Sequence, residues 1–194
     1  MKLFDFDKTA YLKDSTVELY KFCLKKKPYL ILWLPYQAFG FLMYKLGIKK
    51  KEYFKEKFLF FIRHFKDVDA LIGEFWKKEE KNICSWFLKH VQSEDIIVTA
   101  SPEFLVKPVT DKLGIRCIGS VVDTASAKFL SPNCKGENKV ARLKELGITE
   151  TDEAYSDSAS DLPMLSLANK GYIIKNSGVD DYTVIMTLTK VVKE

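Results

Sequence analysis

The chain has 194 residues, of which 47% are hydrophobic and 29% charged, and its formal net charge is +5. Such a composition supports a sizeable core and is that of an ordinary globular protein rather than a disordered one. Cys23, Cys84, Cys117 and Cys134 are scattered, with no CxxC pair and no histidine cluster nearby. That argues against structural zinc or a disulfide framework, and for the reduced thiols of a cytoplasmic protein.

In chain order, the first apolar run ends at Leu3-Phe4 and passes into Asp5-Phe6-Asp7-Lys8-Thr9. An apolar run closed by acids reads as a buried strand opening onto a loop. Strand alternation points Asp5 and Asp7 the same way, toward the region beyond the strand ends where open α/β sheets bind ligands. Two carboxylates so placed repel unless a cation or a proton lies between them. The pair therefore calls for Mg²⁺, for acid/base work, or for both. The same acids interrupt any apolar leader, so no signal peptide is expected.

Residues 11–90 differ in character. They hold 17 Lys and Arg against nine Asp and Glu, and 19 of the 26 aromatic residues, so the basic excess belongs to this segment. The pattern reads as helical, with Phe54, Phe58, Phe61 and Phe65 at i, i+4, i+7 and i+11 forming one apolar stripe. A small bundle lying over the sheet is expected. Residues 28–44 carry no charge and are flanked by Lys25-Lys26-Lys27 and Lys49-Lys50-Lys51. Pro35, Gln37 and Gly40 weaken a spanning helix, and a single crossing would separate Asp5 from its sheet. A buried cap helix broken near Pro35 is expected, with an amphipathic surface resting on anionic lipid as the alternative. His64 and His90 have no spaced metal partner and read as structural. The short lysine runs beside apolar segments do not form a nucleic-acid footprint, and no nucleic-acid partner is expected.

From residue 91 onward, strands and helices alternate. Ile96–Val98 and Cys117–Val122 read as strands, separated by a helix from Pro102 to Lys112 with Gly114 as its C-cap. A helix over Glu137–Leu146 closes at Gly147. Glu153–Tyr155 reads as a strand, Asp161–Ala168 as a short helix, and Tyr172–Ile174 and Tyr182–Leu188 as two more strands. The expected fold is α/β: a Rossmann-like, three-layer, mostly parallel sheet formed by residues 1–10 and 91–194, with residues 11–90 a helical cap inserted after the first strand.

Four features then fall at strand ends or helix starts: Asp5-x-Asp7-x-Thr9, Thr99-Ala100-Ser101, Lys135 within Asn133-Cys134-Lys135-Gly136-Glu137, and Asp157-Ser158-Ala159-Ser160-Asp161. A parallel sheet gathers them on one edge, where they offer carboxylates for a divalent cation, a hydroxyl, a fixed ammonium and backbone N–H groups. Their order and the placement of the insert resemble the haloacid dehalogenase superfamily of aspartate-nucleophile phosphatases, in particular its phosphoserine-phosphatase-like branch. The resemblance implies a phosphomonoester hydrolase. Asp5 would be the nucleophile and Asp7 the acid/base, while Thr99, the Ala100 N–H and Lys135 would bind the phosphoryl group. Mg²⁺ would be held by Asp5, the Asp7 carbonyl and Asp157, with Asp161 as a supporting carboxylate. Ser101 competes with Thr99, and Lys139 with Lys135; strand register favours Thr99, and nearness to the sheet edge favours Lys135. Two positions depart from the family pattern: Lys8 stands where a small residue is common, and Ser156 replaces a glycine.

The resemblance also implies that the cap sets specificity. Asp14 lies where phosphoserine phosphatases carry an acid facing the substrate ammonium, and Arg63 is a candidate for a substrate carboxylate. The partner implied is a small phosphorylated molecule, either a phospho-amino-acid or an amphiphilic phosphate met at a membrane surface. The rival reading is a binding module that keeps the fold without turnover. The sequence sets no oligomeric state.

Overall fold

In a computed structural model, which describes residues 1–190, the chain is built on a six-stranded sheet in the order β3-β2-β1-β6-β7-β8. Strand β1 is Lys2–Phe4, and it enters the insert: helices α1 (Ser15–Lys26), α2 (Leu34–Lys45), α3 (Lys51–Leu59), α4 (Val68–Glu79) and α5 (Ser85–His90), with 3₁₀ turns at Pro28–Trp33 and Phe60–His64. The remainder is β2 (Ile96–Pro102), α6 (Glu103–Leu113), β3 (Arg116–Ser120), a small hairpin of β4 (Val122–Asp123) and β5 (Lys128–Phe129), α7 (Glu137–Glu145), β6 (Thr151–Ser156), α8 (Leu162–Leu165), β7 (Ala168–Asn176) and β8 (Tyr182–Thr189). Strands β3, β2, β1, β6 and β7 run parallel, and β8 closes the edge antiparallel to β7. The architecture is therefore the α/β one read from the alternation.

Both faces of the sheet are covered, which makes three layers. Leu3, Ile96, Val98, Ala154 and Ile173 pack with Leu143 of α7 and Met164 and Leu165 of α8. The alternate residues Phe4, Ile97, Tyr155 and Ile174 face the other way, onto α6 and the insert. Burial on both faces explains why these strands read as continuous apolar runs.

Differences from the sequence reading lie mainly in the insert. Its hydrophobic interior is continuous with the sheet's, because Trp86 and Phe87 of α5 pack on Phe4 and the Trp76 indole N–H donates to the Leu105 carbonyl at 2.7 Å. The later helices thus pack on the sheet itself. The phenylalanine stripe is split: α3 ends at Leu59, Phe61 is buried and Phe54, Phe58 and Phe65 are half-buried. The segment with Pro35 is broken as expected, but it is not buried; Leu32 is 76% exposed, and Phe39, Leu42, Leu46 and Ile48 are all at least half exposed. The short helix after Asp161 ends at Leu165, so Ala168 already belongs to β7.

One backbone contact pins α8 to the sheet. A Cβ on Gly171 would meet the Leu165 carbonyl oxygen at 2.6 Å. Replacing Gly171 by Ala should destabilise the fold by about 1–3 kcal/mol, the usual range for overpacking. That corresponds to a melting temperature lower by roughly 2–4 °C per kcal/mol in a chain of this size. An unchanged melting curve would mean that α8 is not held so closely.

Candidate active site

The ends of β1, β2 and β6 converge with the start of α7 at one cavity of about 460 Å³. Asp5, Asp7, Asp14, Thr99, Ala100, Lys135, Asp157 and Asp161 all line it, together with Lys51, Lys55 and Lys139. The Asp5 N–H donates to the Tyr155 carbonyl at 2.8 Å, so pairing with β6 continues one residue past Phe4 and fixes where the carboxylate leaves the sheet. The Asp5 side chain is almost fully buried.

The ammonium that meets Asp5 is that of Lys139, not Lys135. Lys139 Nζ donates to Asp5 Oδ1 at 2.6 Å and to Asp161 Oδ2 at 2.7 Å, and the side chain is 1% exposed. The reason is helical geometry: side chains lean toward the helix N-terminus. Gly136 caps α7, so Lys139 in its first turn reaches back to the sheet edge. Gly136 itself has φ +57°, and a Cβ there would meet the Ser160 carbonyl oxygen at 3.3 Å. Lys135, one residue before that turn, lies on the cavity wall, and among the described residues it forms no ion pair with a carboxylate. Asp161 also accepts from Ser156 Oγ at 2.8 Å, a bond that the glycine common at that position could not make.

Asp7 is held by a separate set of groups. Its Oδ1 accepts from the Ser15 N–H at 2.8 Å and its Oδ2 from Ser101 Oγ at 2.5 Å. Thr99, fully buried, uses Oγ1 to accept from the Ser101 N–H at 3.0 Å, so its own O–H is left to donate. Both hydroxyls thus take part, with Ser101 serving Asp7. Lys8 adopts φ +59°, a left-handed backbone that favours glycine and accounts for the family's small residue there. Asp14 caps α1 by accepting from the Val17 N–H at 3.0 Å while lining the cavity. Arg63 does not reach the cavity: it donates to the Ala125 carbonyl at 3.1 Å and lies over the Phe60 ring.

Lys51 and Lys55 were not singled out by the sequence reading. They project from α3 with Phe54 and Phe58, a spacing of one helical face that could have marked them as cavity-lining. Lys55 Nζ donates to the Ala100 carbonyl and to Asn133 Oδ1, each at 2.7 Å. Burial, together with the nearby Lys51 and Lys135, lowers its pKa to about 8.

Electrostatically, the cavity floor is short of positive charge. Burial pushes the Asp5 carboxyl up to about 7, against the pull of Lys139 and with the help of Asp161 and Asp7. Burial also raises Asp7, with Asp14 adding to it, and raises Asp157, where Lys8 partly offsets the effect. Lys139 is shifted upward because Asp5 and Asp161 outweigh its desolvation.

Residues 3–166 match the family model described as haloacid dehalogenase-like hydrolase. The chain belongs to the haloacid dehalogenase-like hydrolases. No curated protein matches it by sequence. Among solved structures, this hydrolase resembles a protein of unknown function from Bordetella pertussis Tohama I, with TM-score 0.69 and 20% identity over 84% of each chain. It also resembles a phosphoserine phosphohydrolase-like protein from Francisella tularensis subsp. tularensis SCHU S4, with TM-score 0.53 and 19% identity over 88% of this chain and 84% of that one. A third likeness is to a HAD family hydrolase from Salmonella enterica serovar Typhi, with TM-score 0.55 and 16% identity over 86% of this chain and 59% of that one. At these identities the likeness is one of fold.

The buried carboxyl of Asp5 carries a linkage consequence. Its folded pKa of about 7 lies above the ordinary carboxylate value of about 3.9. The folded state therefore binds this proton more tightly than the unfolded state, and loses stability as the pH rises from about 4 to about 7. In metal-free buffer Asp5→Asn should melt higher than the wild type at pH 8 and show little difference at pH 4. Equal destabilisation of the variant at both pH values would contradict the assignment.

Proposed function

We propose that this hydrolase releases inorganic phosphate from small phosphate monoesters through a phosphorylated Asp5, with Mg²⁺ as cofactor. The observation carrying the reading is the buried Asp5 carboxylate, oriented by Lys139 in a cavity shared with a separately held Asp7. Asp5 would attack phosphorus as the ester oxygen leaves, and Asp7 would protonate that oxygen. Asp7, now a carboxylate, would take a proton from water, whose oxygen attacks phosphorus and frees both phosphate and Asp5. A carboxyl raised by burial and fixed by two hydrogen bonds suits this alternation of donor and acceptor. Thr99 O–H and the Ala100 N–H would donate to phosphoryl oxygens, and Lys139 would hold Asp5 and offset its charge.

The donor set fits Mg²⁺. Asp5 and Asp161 share one buried ammonium, Asp7 and Asp157 line the same cavity, and the carboxylates offer hard oxygen donors. Asp5, Asp157 and the Asp7 carbonyl would hold the ion. Among the described residues no three His, Cys, Asp or Glu side chains form a metal cluster, and this set needs only two because its third protein ligand is a carbonyl. When bound, the ion would supply the positive charge that lets a phosphate dianion approach Asp5.

The cavity wall bears on substrate class. Lys51, Lys55 and Lys135 line it without forming an ion pair with a carboxylate among the described residues, which favours a substrate with a second anionic group, such as the carboxylate of a phospho-amino-acid. Asp14 on the same wall suits an ammonium.

Two measurements test this reading. Phosphate release from an aryl phosphate should require Mg²⁺, stop with EDTA, vanish in Asp5→Asn and fall by about 10²–10⁴ in Asp7→Asn; undiminished turnover in Asp5→Asn would refute the nucleophile. Lys51→Ala combined with Lys55→Ala should raise KM at least tenfold for phosphoserine, with little change for the aryl phosphate. An equal loss on both esters would remove the second-anion subsite.

A further inference from the structure

The α2 hairpin is packed the wrong way round for a helix in water. Its buried residues are Gln37 and Gly40, while Leu34, Phe39 and Leu42 face outward. The Gln37 side-chain N–H donates to the Phe58 carbonyl at 3.3 Å, and a Cβ on Gly40 would meet Lys57 Cγ at 2.7 Å, so a polar residue and a glycine make the close approach to α3. Outside lie Ile31, Leu32, Phe39, Leu42, Leu46 and Ile48, each at least half exposed. Isolated exposed apolar residues need no explanation, but a contiguous set on one hairpin marks an interaction surface.

Charge selects the partner. From Leu19 to Lys51 the chain carries eight lysines and not one aspartate or glutamate. Lys25, Lys45, Lys49 and Lys50 make no ion pair with a carboxylate among the described residues, and Lys45 and Lys49 lie over the rings of Phe41 and Tyr53. A second copy of the chain meeting this patch through a two-fold axis would set lysine against lysine. Lysine is also depleted at the centres of protein interfaces. A surface with an apolar interior and a negative face matches both features. Among the described residues, no helix is long and apolar enough to cross a membrane. The arrangement is that of an interfacial helix, with its apolar face in the acyl boundary and its lysines among the headgroups.

We propose that residues 28–50 form a docking surface for anionic bilayers, on which the protein rests peripherally. The proposal stands on exposure and charge and does not depend on the phosphatase reading. It has a consequence for position: α2 packs on Phe54 of α3, which lines the cavity together with Lys51, Lys55 and Phe58, so docking brings the cap beside the lipid surface.

Flotation of the full chain with vesicles of phosphatidylcholine and phosphatidylglycerol, against vesicles of phosphatidylcholine alone, tests it without substrate. Binding is expected to the anionic vesicles only, with at least tenfold weakening between 50 and 500 mM NaCl. The variant Leu32→Glu/Leu42→Glu/Ile48→Glu should lose that binding while keeping its melting temperature and its aryl phosphate turnover. Lys49→Glu/Lys50→Glu should weaken binding at low salt. A wild-type chain that stays in solution with both vesicle types overturns the proposal, as does undiminished binding by the triple variant. A dimer in sedimentation analysis that the triple variant turns into a monomer would overturn it in favour of a second copy.

Discussion

A single buried ammonium organises the site. Lys139 lies between Asp5 and Asp161 with almost no exposure and donates to both carboxyl groups. Burying an ion pair is expensive, and the attraction offsets desolvation only when every lone pair and proton has a partner. Here the partners come from different parts of the chain: β1 ends one residue before Asp5, Gly136 turns the backbone so that α7 starts at the sheet edge, and Ser156 completes Asp161. The compensation is still incomplete at the cavity floor, because burial keeps the Asp5, Asp7 and Asp157 carboxyl groups raised despite the lysines nearby. The site thus gathers five aspartates and five lysines in one cavity, with the acids nearest the strand ends.

Much of this frame could be read from the sequence, because it rests on periodicity. Strands buried on both faces produced unbroken apolar runs, and helices between them produced 3.6-residue patterns ended by Gly114 and Gly147, so the order of elements and the gathering of Asp5, Thr99 and Asp157 followed. The lysine did not follow, because distance along the chain is a poor guide to distance in space at a helix start. Lys139 is farther in sequence from the sheet edge than Lys135, yet its Cα–Cβ bond points back toward that edge. Ser101 and Ser15 were hidden for a similar reason: their role depends on how Asp7 turns after the strand has ended, which no alternation rule describes. Arg63 was drawn to the site by its charge, and the 3₁₀ turn that follows α3 carries it to the outside instead.

The insert is tied to the core by both packing and polar contacts. Phe4, Trp86 and Tyr155 form one aromatic group across the boundary between β1, α5 and β6. Closer to the site, Lys55 of α3 binds the carbonyl of Ala100 and the side chain of Asn133, and Glu56 accepts from the Phe129 N–H at 3.1 Å. A cap fastened in this way presents a defined wall to the cavity, and Lys55 is a fixed feature of it.

The same helix explains why α2 faces outward. Lys51, Lys55 and Phe58 of α3 are committed to the cavity, and α2 lies along the same helix beside them. Gly40 makes the close approach at Lys57, Phe41 and Tyr44 pack on the Phe54 ring, and Gln37 satisfies the Phe58 carbonyl. Leu34, Phe39 and Leu42 are then left facing out. Burial inside the protein would have required a further helix over them, and hydration would have favoured polar residues at those positions. Neither is present among the described residues. The chain supplies lysines at both ends of the hairpin, so the outward face is coherent in composition and charge as well as in geometry.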